Sequence, residues 1–114
     1  MPDGAPLTQA LLAEKIATVQ GELAVALGRI KHAGAVTALL AVVSEGALDA
    51  RHKAVWALGQ IGDKSACGPL VEALDKSNDP ELREEIAGAL SAITGQTIGP
   101  DAEQWRKAVK NTQQ

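Results

Sequence analysis

The chain has 114 residues, of which 46% are apolar and only 2% aromatic, with two Trp, no Phe and no Tyr, and its formal net charge is −3. That length suits one domain, able to bury roughly two thirds of its unfolded surface without disulfides or metal. The acidic balance and the lack of a Lys/Arg stripe speak against nucleic acid, and no apolar run nears the roughly 20 residues that span a bilayer.

The opening, MPDGAPLT, lacks the basic-then-apolar order of a secretory signal. Helices are predicted near 6–16, with Leu7, Leu11, Leu12 and Ile16 apolar, and near 18–31. A second pair follows near 33–44 and 48–61. Past Gly62-Asp63-Lys64-Ser65, a helix from about Ala66 to Asp75 carries Leu70, Val71 and Leu74 on one face. In the turn Ser77-Asn78-Asp79-Pro80, Asp79 suits an N-cap and Pro80 a first helical position. The helix it opens runs to about Ile93, with Leu82, Ile86, Ala89, Leu90 and Ile93 spaced for burial. Gly62 and Gly95 stand where helices end. Gly99-Pro100-Asp101 starts a closing helix, Ala102–Lys110, with Trp105 and Val109 on one side. A core short of aromatics must be built from Ala, Leu, Val and Ile, and Ala is the strongest helix former. The expected class is all-α.

The chain repeats itself. Val25-Ala26-Leu27-Gly28-Arg29-Ile30, Trp56-Ala57-Leu58-Gly59-Gln60-Ile61 and Gly88-Ala89-Leu90-Ser91-Ala92-Ile93 align, with steps of 31 from Leu27 to Leu58 and 32 from Leu58 to Leu90. Arg51 and Arg83 recur at one position, and Cys67 stands where Val36 stands one unit earlier. Cys67 is therefore read as a small buried hydrophobe; as the lone cysteine it excludes an intrachain disulfide and fits a reducing, cytoplasmic setting. Because one hairpin cannot bury its apolar face, units must stack. A single repeat domain over 1–114 is expected, with units at about 6–31, 33–62 and 65–95 and a cap at 99–112.

The strings ALGRI, ALGQIGDKSACGPLVEAL and DPELREEIAGAL, with the closing TGQTIGPDAEQWRKAV, resemble HEAT-like repeats, in particular the short form found in phycobilisome lyase subunits. The resemblance covers nearly the whole chain. It implies a short right-handed α-solenoid of about three antiparallel helix pairs, with second helices lining the concave side, and binding more often than catalysis. It places Leu23, Ala26, Leu27, Ile30, Ala54, Ala57, Leu58 and Ile61 inward. It also implies that Arg51, Arg83 and Asp63 tie repeats together and that Trp105 plugs the open end of the core.

The same register leaves outward rows across the stack: Gly21, His52 and Glu84; Glu22, Lys53 and Glu85; Val25, Trp56 and Gly88; and Arg29, Gln60 and Ala92. Trp56 stands out, because the family usually places a polar side chain there and exposed aromatics mark interaction sites. Partner binding is accordingly expected around Trp56, His52, Gln60, Val25, Arg29, Lys53 and Gly88. The alternative is that the ring lies over Gly88 and merely fills space. His52 and His32 are expected to be plain surface histidines. Glu22, Lys53 and Glu85 suggest a ladder of ion pairs between repeats.

No GxSxG, P-loop, GxGxxG or HExxH pattern is present, and the histidines and cysteine have no metal-ligand spacing. Neither catalysis nor a cofactor is expected. The leading function is a non-catalytic interaction module, monomeric or weakly dimeric, that takes a protein or peptide partner and neither nucleic acid nor membrane. Two alternatives stand beside it: an enzyme accessory or chromophore-lyase-like subunit, and the terminal structural part of a longer array.

Overall fold

A computed structural model describes residues 17–112, and among these every regular element is helical. Six α-helices follow in order: α1 (Ala17–Arg29), α2 (Val36–Glu45), α3 (Leu48–Ile61), α4 (Cys67–Lys76), α5 (Pro80–Thr94) and α6 (Ala102–Thr112). Short 3-10 turns, Ala33–Ala35 and Lys64–Ala66, lead into α2 and α4. The helix expected at 6–16 lies outside the described residues. No described helix is long and apolar enough to cross a membrane.

Local chemistry sets the helix ends. Asp79 accepts the Glu81 backbone N–H at 3.0 Å, with Pro80 following at the first helical position. Asp63 accepts the Ser65 N–H at 2.9 Å, a bond that holds its carboxyl below the usual carboxylate range. Gly62 and Gly95 donate their N–H groups to the Leu58 and Ser91 carbonyls, and their φ of 75° and 78° then turns the chain out of the helix.

The helices form two layers. α1, α3 and α5 pack side by side in one, and α2 and α4, with α6 against α4, make the other. Buried Leu27, Leu39, Leu58, Leu70, Leu74, Ile86 and Leu90 fill the space between them, and no described polar or charged residue is buried. Within the first layer the helices meet at small residues: Gly28 faces Ala57, and Gly59 faces Ala89. The candidate site sits on the outer face of this layer.

The recurring arginines serve the helix turns. Arg51 donates from Nε to the Gly46 carbonyl at 2.6 Å, capping the end of α2 within its own unit. Arg83 does the same for α4 through Leu74 and Ser77, and reaches onward to the Pro100 carbonyl at 2.9 Å. Only Arg83 therefore bridges to the following element. Trp105 is fully buried, with its indole N–H donating to the Gly99 carbonyl at 2.6 Å, so α6 closes the core. Arg106 adds ion pairs from α6 to Asp75 (2.9 Å) and Glu72 (3.5 Å) on α4.

Candidate functional site

A groove of about 790 Å³ crosses the outer face of α1, α3 and α5. Its centre is Trp56, which is 42% exposed. The ring does not lie over Gly88, where a side-chain carbon would meet nothing within 4 Å. It leans instead on α1: its Cζ3 stands 2.9 Å from where a carbon on Gly28 would be. Helix side chains tilt toward the N-terminus of their own helix, and here the gap left by Gly28 supplies the seat. The Cζ3 edge of the indole is thus seated while much of the side chain stays exposed.

Of the other expected contact residues, Val25, His52, Lys53, Gln60 and Gly88 also line the groove. Arg29 is exposed near the end of α1 and is not part of the lining. Leu48, 51% exposed, joins the lining without having been anticipated. A signal was available: the equivalent positions in the neighbouring units are Ala17 and Pro80, so a large apolar residue there is peculiar to the central helix.

Two outward assignments need correction. Gly21 is buried, because the Lys53 side chain lies over it, with Cδ 2.7 Å from where a carbon on Gly21 would sit. The ladder from Glu22 through Lys53 to Glu85 is replaced by other pairings. Lys53 pairs with Asp49 at 3.2 Å, one turn back on the same helix. Glu85 turns to His52, whose Nδ1 lies 2.6 Å from its Oε2. The cause is a sequence difference between equivalent sites: Asp49 and Lys53 on α3 satisfy each other, whereas Glu81 and Glu85 on α5 are both acidic and draw in a cation from across the groove.

That makes His52 more than a solvated surface residue. Its side chain is 19% exposed, and Nε2 lies 3.6 Å from Asp79 Oδ2. Burial alone would lower its pKa, but the hydrogen bond to Glu85 and the charges of Glu85, Glu81 and Asp79 outweigh it and raise the imidazole above its ordinary value. His52, Glu81 and Glu85 are also the described residues able to hold a cation, with donor atoms all within 4.8 Å of one another. A metal would require neutral His52, while the same carboxylates favour its protonated form. A protonated His52 offsets one of these carboxylates and leaves the cluster net acidic. Cys67, the first residue of α4, is buried, and burial pushes its thiol pKa up, which disfavours the reactive thiolate.

The sequence matches the family model for HEAT repeats over residues 4–95. It is also 34% identical over 106 residues to the bilin biosynthesis protein PecE of Mastigocladus laminosus, an alignment that covers 87% of this chain and 39% of that protein. The chain thus spans about two fifths of the length of this curated relative.

Proposed function

Because the chain belongs to the HEAT-repeat family and is a helical repeat scaffold, we propose that it is a non-catalytic interaction module holding a protein or peptide in the groove around Trp56. The observation that carries this reading is the exposed indole itself. Trp56 and Leu48 are both large, apolar and exposed, and both belong to one groove. Aromatic anchors in such grooves supply most of the affinity of protein contacts. Around Trp56 and Leu48, His52 pairs with Glu85 and Lys53 with Asp49, and the exposed Glu81 adds a carboxylate able to position a partner. Affinity capture from the source-cell lysate tests the reading, with wild type beside Trp56→Ala and Thr37→Ala on the opposite layer. Proteins kept by wild type and Thr37→Ala but lost with Trp56→Ala support it, and equal capture by all three removes the groove from the account.

A second reading is favoured by the likeness to PecE: an accessory role in bilin biosynthesis, with a bilin resting on Trp56. Bilins carry carboxylates, which Asp49, Glu81 and Glu85 on the groove wall would repel, so this reading stands second. Its test is a visible-absorbance shift on mixing with a bilin that disappears with Trp56→Ala.

A further inference from the structure

The groove has a pattern along its length that narrows what it accepts. Leu48, His52 and Trp56 occupy successive turns of α3, each step about 6 Å along the axis. The two ends of this row are apolar and exposed. The middle is acidic, because Glu81 and Glu85 of α5 stand opposite His52, with Asp79 behind it. Among the lining side chains, the carboxylates Asp49, Glu81 and Glu85 face a single lysine, Lys53. The groove therefore carries a net charge of −2 with His52 neutral and −1 with it protonated. Lys53 is already engaged by Asp49, so the positive charge a partner would meet is small.

Resting on the reading that the groove binds a protein segment, we propose that its partner is a cationic segment in which a Lys or Arg stands between two large apolar side chains. The basic group sits against the exposed carboxylate of Glu81 and that of Glu85, where like charges would be repelled and an opposite charge is attracted. The flanking apolar groups cover Leu48 and the exposed part of Trp56. Neither element suffices alone: the apolar ends give affinity, and the acidic middle sets register and sign of charge.

Selection from a random library of peptides roughly 12 residues long, displayed on phage and panned on the intact chain, tests this. The expected winners carry Lys or Arg between apolar residues, and their affinity falls about tenfold with Glu81→Lys and at least as much with Trp56→Ala. Glu81 is exposed, so its replacement leaves the core intact, and circular dichroism on both variants verifies folding. Winners that depend on Trp56 but show no basic enrichment and ignore Glu81→Lys overturn this inference and leave the groove reading standing. Winners indifferent to Trp56→Ala, or no winners at all, overturn both.

Discussion

A side-chain carbon on Gly28 would stand 2.8 Å from the Cα of Ala57, so α1 and α3 touch where only a hydrogen fits. The contact recurs one unit on, less tightly: a carbon on Gly59 would lie 3.2 Å from the Ala89 Cα. The third unit carries Ser91 at the equivalent position. The repeated glycine is thus a spacing device between neighbouring inner helices. Gly28→Ala should destabilise by about 1–3 kcal/mol, since backbone must move and the Trp56 seat is lost. Gly59→Ala should be nearly neutral, because a gain of about 1 kcal/mol in helix propensity offsets mild crowding. Gly88→Ala meets open space and should stabilise by up to about 1 kcal/mol. Urea denaturation of the three variants gives the order, and a stabilising Gly28→Ala would refute the close contact.

His52 predicts a pH-dependent contribution to stability. Its folded pKa is raised, so its pairing with Glu85, Glu81 and Asp79 stabilises fully below the unfolded value near 6.5 and fades as pH rises through the folded value. Wild type should therefore exceed His52→Gln in stability by about 1 kcal/mol or less at pH 6, given that Glu85 is 38% exposed, and by less at pH 9. A gap that widens with pH would contradict the pairing.

Arg83 holds carbonyls from Leu74, Ser77 and Pro100 with one guanidinium. A lysine has a single nitrogen and cannot span them. Arg83→Lys should cost about 1–3 kcal/mol and loosen residues 99–101, seen as faster amide exchange at Glu103 and Trp105, whose N–H groups bond to Asp101. Unchanged exchange there would show that the Pro100 bond does not anchor the cap.

Trp105 offers a graded test of the closing helix. Trp105→Ala should cost about 3–5 kcal/mol, a large share of the stability of a domain this size. Trp105→Phe keeps most of the apolar volume but leaves the Gly99 carbonyl unpaired, and should cost about 1–3 kcal/mol. Equal melting temperatures for Trp105→Phe and wild type would deny the hydrogen bond any weight.

Repetition made much of this architecture legible. The shared ALG register places Leu27, Ala57, Leu58, Ala89 and Leu90 in the core, where the structure buries them. Leu23, Ala26, Ile30 and Ile61 are only half-buried, because periodicity gives a face and not the depth to which a neighbour covers it. That Trp56 points outward followed from the same register. What it rests on did not, since a row of equivalent positions suggests Val25 and Gly88 as neighbours whereas the ring reaches Gly28 on α1. The ion pairs depart from the register for a related reason. Like positions were matched with like, while the actual partners are diagonal or a turn away, as with His52 and Glu85 or Lys53 and Asp49. Leu48 sits at the first turn of α3, outside the buried periodicity, and only comparison with Ala17 and Pro80 makes it unusual.

The most direct test of the groove as a binding surface is amide and indole chemical-shift mapping of the isotope-labelled chain on addition of a captured partner or selected peptide. The account predicts shifts at Val25, Leu48, His52, Trp56, Gln60 and Gly88. The Trp56 indole N–H should move, while that of Trp105, buried and bonded to Gly99, stays in place. Shifts confined to α2, α4 and α6, with the Trp56 indole unmoved, would contradict it.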